Sequence, residues 1–320
     1  MPRRIEPLDF GGLRTYSLQD RPSKVSLEKL GKPFSAGASF REFLASLPRE
    51  LAARDLLDLA EDIVRARRKG RPFIFAFGAH VIKVGVSPFL VALMEKGIIT
   101  ALATNGAAMV HDAELAMVGN TSEDVARALS DGSFGAARET GEILNQAARL
   151  GAEGMGLGRA LGKLLAEGDF PYKDRSLFAR AYLLGVPITV HVALGTDIVH
   201  IHPSADGAAI GQATFLDFRI LARLISDLEG GVFLLAGSAV ILPEVFLKAL
   251  SAVRNLGYRV EHFVTANLDF IRHYRPLTNV VHRPTLSGGK GYSITGHHEL
   301  LIPLLYGAIL EGWEEEDADL

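Results

Sequence analysis

The stretch Phe73–Glu114, FIFAFGAHVIKVGVSPFLVALMEKGIITALATNGAAMVHDAE, constrains the fold more than any other part of the chain. Phe73–Phe77 is a short apolar run of β-formers that stops at Gly78-Ala79-His80. Phe89, Leu90, Leu93 and Met94 recur at helical spacing, and Gly97 ends that helix. Ile98–Ala103 then reads as a second buried strand, closed by Thr104-Asn105-Gly106. Two continuous apolar strands joined by an amphipathic helix imply parallel strands covered on both faces. The two turns fall at the carboxyl ends of those strands, where open α/β sheets bind ligands.

The rest of the chain repeats the alternation. Residues 1–70 read as an extension: an irregular start with scattered prolines, a short helix over Phe40–Leu47 capped by Ser39, and an amphipathic helix over Leu51–Lys69. The cations Arg65, Arg67, Arg68 and Lys69 suit that helix's last turn, and Gly70 stops it. After a helical stretch to about Gly168, strands are expected at Pro187–Leu194, with Ile198–Ile201 as a continuation, then at Gly231–Leu235, Arg259–Thr265 and Val280–His282. Helices are expected over Ser176–Leu184, Ala209–Leu228, Pro243–Asn255 and 297–312. This pattern predicts one α/β domain over 71–313, a doubly wound, mostly parallel sheet with helices on both faces, followed by an acidic tail over 314–320.

Composition narrows the function. Zero cysteines exclude thiolate metal ligands and a cysteine nucleophile. A net charge of -3 gives no footprint for nucleic acid. No apolar run approaches the roughly 18 residues of a membrane span. With no secretion signal in MPRRIEPLDFGG, the cytoplasm is the expected compartment.

Small residues cluster in the predicted turns at the carboxyl edge: Thr104-Asn105-Gly106, Gly195-Thr196, Gly237-Ser238 and Thr265-Ala266. Such turns let backbone N–H groups approach phosphate oxygens, and the helix N-termini that follow favour anions. They equally make ordinary tight βα connections. The fingerprint-like GMGLGRALG at 154–162 follows a helix, not a strand, and is read as a turn and helix. Asp197, His200 and His202 form D-x-x-H-x-H, with both histidines expected on one strand face, a set that could hold a divalent metal for hydrolysis. His111 and Asp112 open a helix as acid–base or ribose-binding candidates, or simply complement its dipole. Lys290, in SGGKG, is either an exposed loop lysine or an amine with a functional role. The basic stretch Arg272–Arg283 would favour an anionic small-molecule substrate if it faces the site.

Gly78–Asp112 resembles the first NAD-binding unit of deoxyhypusine synthase, with Gly85, Thr104 and Asp112 in matching places. SLFARAYLLGVPITVHVAL, AGSAVILPEVFLKAL, VTANLDF and ELLIPLL extend the resemblance across 75–315. It implies the deoxyhypusine-synthase-like, Rossmann-like fold, NAD or NADP as cofactor, and a homo-oligomer, dimer or tetramer, with cofactor in inter-subunit clefts. NGAAMVHDAE also resembles a segment of the C-terminal domain of NAD-dependent ornithine cyclodeaminases. The two resemblances carry cofactor or active-site roles onto Thr104, Asn105, Gly106, Thr265, Ala266, His111, Asp112 and Glu114, and Lys290 stands near the synthase's catalytic lysine. IRHYRPLTNVVHRP is basic where a polyamine site needs acids, which points away from deoxyhypusine synthesis itself. The expectation is an NAD-dependent transferase, or a lyase or deaminase, acting on an amine or amino acid by transient hydride transfer. Cofactor would lie on Thr104, Asn105, Gly106, Gly237, Ser238, Thr265 and Ala266, with chemistry from His111, Asp112, Asp197 and Lys290. The alternatives are a metal-dependent hydrolase on Asp197, His200 and His202, or a non-catalytic nucleotide-binding protein.

Overall fold

The computed structural model describes residues 4–315. Six parallel strands form one sheet: β1 (Phe73–Phe77), β2 (Ala101–Asn105), β3 (Ile188–His191), β4 (Val232–Ala236), β5 (Val264–Asp269) and β6 (Lys290–Thr295). Their order is β3-β2-β1-β4-β5-β6. This is the order of a doubly wound dinucleotide-binding sheet, and the winding reverses between β1 and β4. The two turns leaving β1 and β4 are therefore neighbours.

Alternation along β1 explains why the run is apolar throughout. Phe73, Phe75 and Phe77 enter the larger core, while Ile74 and Ala76 enter the smaller one on the opposite face. Helices α2 (Leu51–Arg68), α4 (Ser87–Glu95), α5 (Gly106–Val118), α8 (Leu157–Glu167) and α9 (Leu177–Leu184) contribute to the larger core, as does α12 (His298–Glu315). The later part of α10 (Gly207–Ser226) and α11 (Ile241–Asn255) cover the other face, where Phe233 stacks on Phe246 at 3.9 Å. Burying each such ring contributes about 2–3 kcal/mol. The remaining α-helices of four residues or more among the described residues are α1 (Phe40–Ser46), the single turn α3 (His80–Lys83), α6 (Val125–Asp131) and α7 (Arg138–Leu150).

The last third of the sheet departs from the sequence expectation. Residues 259–263 are not strand, because Glu229 takes the backbone N–H groups of Glu261 and His262. β5 consequently starts at Val264, paired through its N–H to Gly231. Val280–His282 lies in a π-helix, and the last strand is Lys290–Thr295. Gly289 makes that strand's entry fit: a Cβ there would lie 2.6 Å from the Phe263 carbonyl oxygen. Ile198–Ile201 is a 3-10 helix instead of a strand, folded back by His200, whose Nδ1 accepts from the N–H groups of Gly195 and Asp197. Of the expected acidic tail, Glu314 and Glu315 end α12, and 316–320 lie outside the described residues. Among the described residues no helix is long and apolar enough to cross a membrane.

The GMGLG segment forms a π-turn and the start of α8 at a helix–helix junction. Its anchor is Asp217 of α10, whose Oδ2 accepts from Gly158 N at 2.9 Å and Val190 N at 2.7 Å. Burial pushes the Asp217 carboxyl up to about 7 against the pull of those bonds. The fold thus favours the neutral acid, so this contribution to stability is full below about pH 4 and is lost as pH rises to 7. The rise from 3.8 to about 7 corresponds to roughly 4 kcal/mol. Asp217→Asn, which keeps an acceptor without ionising, is expected to raise the urea midpoint at pH 8 and to change it little at pH 4. An equal effect at both pH values would show that ionisation is not the cause.

Candidate active site

Helix α5 grows directly from β2. Asn105 caps it, its side chain accepting from Ala108 N at 3.2 Å. Gly106, the first helical residue, has no room for a Cβ, which would collide with the Asp197 carboxylate. The α5 N-terminus, an electropositive spot, thus faces Asp197 of the loop after β3. Burial holds the Asp197 carboxyl above its ordinary range, with nearby His200 pulling the other way.

One turn and two turns along α5 lie His111 and Glu114, three residues apart and so on one face. Thr121 bridges them: its hydroxyl donates to Glu114 Oε2 at 2.6 Å and lies 2.7 Å from His111 Nδ1. Thr140 donates to the other Glu114 oxygen at 3.1 Å. A hydroxyl has one proton, so Thr121 can only accept from His111. That fixes the tautomer with Nδ1 protonated and leaves Nε2 of the neutral ring with a lone pair. Burial, and secondarily Lys83, hold the His111 ring below its ordinary value of 6.5, which keeps it neutral at pH 7. Both residues line a cavity of about 230 Å³, with Lys83, Ser122, Asp197 and Phe134 among the other walls. Ser122 has φ 70, a left-handed conformation that costs a non-glycine residue on the order of 1–3 kcal/mol.

At the reversal between β1 and β4 the two turns touch. A Cβ on Gly78 would collide with the Gly237 carbonyl oxygen, and Gly237, at φ 65, is packed against the ring of His298. Ser238 is buried, and its Oγ accepts from Leu242 N at 3.3 Å at the start of α11. His80, Phe270 and His298 surround this point as mutual ring contacts.

Other sequence candidates lie elsewhere. Thr104 is fully buried, its hydroxyl bonded to the Phe77 carbonyl at 2.7 Å, so it stitches β2 to β1. Thr265 and Ala266 are buried inside β5, near its amino end, because the strand begins five residues later than its sequence suggests. The turn that reaches the carboxyl edge there is Asp269-Phe270. Asp112 faces away from the cavity and receives Ser176 Oγ, Leu177 N and Phe178 N, holding the start of α9. Lys290 opens β6 at the amino edge, opposite the cavity, with Nζ 3.2 Å from Asp62 Oδ2 and 4.7 Å from the Tyr292 ring. Lys290→Ala is therefore expected to leave turnover within about twofold, since the lysine lies away from the cavity and the buried Asp62 keeps Arg65 and Tyr292 as partners. A loss of several orders of magnitude in a steady-state assay would overturn this placement.

The histidines after Asp197 do not share a face. His202 packs on Gly141 of α7, with Nδ1 2.9 Å from Ser204 Oγ. Among the described residues no group of three or more His, Asp or Glu is arranged to hold a metal. In the basic stretch, Arg275 pairs with Glu244 and Arg283 donates to Asn279, and neither lines the cavity. The sequence reading overlooked Lys83, Thr121 and Thr140. Lys83 had a signal in its place, one turn beyond the carboxyl end of β1, but the threonines become partners only through the path of the loop after Gly119.

Fold and strand order define the class as a doubly wound α/β protein with an all-parallel sheet in the order typical of dinucleotide-binding folds. No protein-family model and no curated protein sequence matches the chain. Solved structures do. A candidate deoxyhypusine synthase from Entamoeba histolytica superposes with a TM-score of 0.50 at 12% identity, covering 88% of this chain and 96% of that one. A conserved candidate LOR/SDH protein from Methanococcus maripaludis S2 gives 0.52 at 12% identity, covering 85% and 71%. AgrE, in its ternary complex with ornithine and NAD+, gives 0.51 at 13% identity, covering 83% of this chain and 33% of AgrE. The chain thus spans about a third of AgrE's length, and these likenesses concern the fold alone.

Proposed function

We propose that this chain is an NAD(P)-dependent enzyme that acts on a small amine or amino acid by transient hydride transfer, with elimination or transfer following. The observation that carries the reading is the His111–Thr121–Glu114 relay, which presents an oriented base to a small cavity on the ligand-binding edge of the sheet. A base held by a hydrogen-bonded orienting group is the arrangement proton transfer requires. AgrE, whose complex contains ornithine and NAD+, lends support through shared fold.

The cavity of about 230 Å³ is smaller than the roughly 300–1,000 Å³ of drug-sized ligand pockets, so it suits an amino-acid-sized substrate and not a dinucleotide. The dinucleotide would lie along the carboxyl edge at the strand reversal, where the Gly78 and Gly237 turns meet beside His80, Phe270 and His298. The α5 N-terminus is a poorer phosphate site, because Asp197 already brings a carboxylate there. Bound at that edge, nicotinamide supplies the two-electron acceptor. His111 Nε2 takes a proton from the substrate amine, and Glu114 steadies the charged ring through Thr121. Lys83 pairs with a substrate carboxylate, and the buried Asp197 orients the amine.

The reading is tested by incubating the protein with NAD+ and α-deuterated amino acids, ornithine among them, and following deuterium in substrate, product and nicotinamide. Turnover with deuterium passing through the nicotinamide is expected. Turnover without that transfer, or none across the panel with cofactor bound, would contradict it.

A further inference from the structure

Asp217 of α10 commits only half of its carboxyl to the fold. Oδ2 takes Gly158 N and Val190 N, whereas Oδ1, shut off from solvent, has no hydrogen-bond partner among the described residues. Native interiors leave few such atoms, and the residue as a whole is only 1% exposed. Gly156 explains the bare oxygen. At φ 81 it passes so close that a Cβ would collide with Oδ1, yet its own N–H is turned to Gly151 O. The nearest backbone therefore offers Oδ1 no donor.

The same residue borders a cavity of about 330 Å³ between the π-turn, the end of α9 and the amino end of β3. That volume falls within the roughly 300–1,000 Å³ of small-molecule sites. Met155, Val186, Pro187 and Ile220 give it apolar walls. Arg159 also lines it, exposed and without an ion pair among the described residues. The Tyr182 hydroxyl is spent on Glu167. A buried acceptor, an uncommitted cation and an apolar wall between them match a zwitterion with an apolar body. An amine alone would bring a second positive charge up to Arg159, and a carboxylate alone would face Asp217, so neither suits both ends.

We infer that this cavity is a second ligand site, and that it takes a free α-amino acid with an apolar side chain. The ammonium group donates to Asp217 Oδ1, the carboxylate pairs with Arg159, and the side chain lies against Met155, Val186, Pro187 and Ile220. The inference stands apart from the enzymatic reading, whose cavity shares no residue with this one.

The test is calorimetric titration of the full chain with L-leucine and L-methionine at pH 8, where Asp217 is ionised. One amino acid is expected to bind per chain. Isopentylamine and isocaproate, which are leucine without its carboxylate and without its ammonium group, should bind at least tenfold more weakly, because each leaves one charged partner unmatched. Asp217→Asn keeps an acceptor for Gly158 and Val190 but turns an amide donor toward the ammonium group, and Arg159→Ala removes the exposed cation. Each is expected to weaken leucine binding at least tenfold in a protein that still melts cooperatively. Bound leucine should slow hydrogen exchange over 151–159 and 186–190 and leave 111–122 unaffected. No heat at millimolar leucine and methionine, equal binding of either single-charge analogue, unchanged binding by Asp217→Asn or Arg159→Ala, or protection over 111–122 instead would each overturn the site.

Discussion

Asp112→Ala is expected to cost about 3–5 kcal/mol of folding free energy, the largest effect of any single substitution considered, because it strands donors in a dry interior. Three groups converge on this carboxylate: Ser176 Oγ at 2.5 Å, Leu177 N at 2.8 Å and Phe178 N at 3.2 Å. They are the opening donors of α9, and a carboxylate at that place offsets both their hydrogen-bonding need and the helix dipole. Burial nevertheless pushes the carboxyl up to about 6. The folded state therefore favours the protonated form more than the unfolded chain does. This contribution to stability is full below about pH 4 and falls away between 4 and 6. Denaturant melts should show the alanine variant largely unfolded at neutral pH, with Asp112→Asn retaining part of the loss. A normally folded Asp112→Ala protein that lacks activity would instead place Asp112 in the chemistry.

The second large effect concerns rate. His111→Ala is expected to lower kcat roughly 100- to 10,000-fold, the usual yield of a positioned general base. The ring is partly exposed at the cavity, so the urea midpoint should hardly move. Thr121→Val cuts the relay while leaving the base in place. It is expected to lower kcat by a smaller factor and to displace the acidic limb of the rate profile, because Thr121 and Glu114 no longer stabilise the charged ring. In the wild type that limb should fall below the ordinary histidine value of 6.5, where burial and Lys83 hold the ring. Unchanged kcat in His111→Ala, or a limb in Thr121→Val identical to wild type, would remove the relay from the account.

How far the sequence foretold this arrangement differs by region. The β1–β2 unit was legible because both faces of those strands are buried, so the runs are apolar without interruption and small-residue turns mark their ends. His111 stood among the sequence candidates beside Asp112, but the residue three further on, Glu114, is the one that shares its face and joins it through Thr121. The β5–β6 region was not, because what decides it is distant. Glu229, some thirty residues earlier, holds residues 261 and 262 out of the sheet, and this moves Thr265 and Ala266 from a turn into the strand. Lys290 misled for a related reason. Glycines on both sides suggest a loop, whereas Gly289 and Gly291 serve close backbone passages, each with a Cβ barred by a carbonyl oxygen, at Phe263 and Val281 respectively. The D-x-x-H-x-H spacing failed because a side-chain to backbone bond at His200 turns the segment into a helix, and alternation then no longer applies.

Calorimetric titration of the full chain with NAD+ and with NADP+ tests the central claim most directly, since everything proposed for the site assumes a dinucleotide at the β1–β4 reversal. One cofactor should bind per chain with micromolar to submillimolar affinity. Gly237→Ala, which places a Cβ against His298 at a left-handed position, should abolish that binding in a protein that still folds, and Lys290→Ala should leave it intact. Absence of heat at millimolar cofactor, or equal binding by the Gly237→Ala protein, would contradict the account.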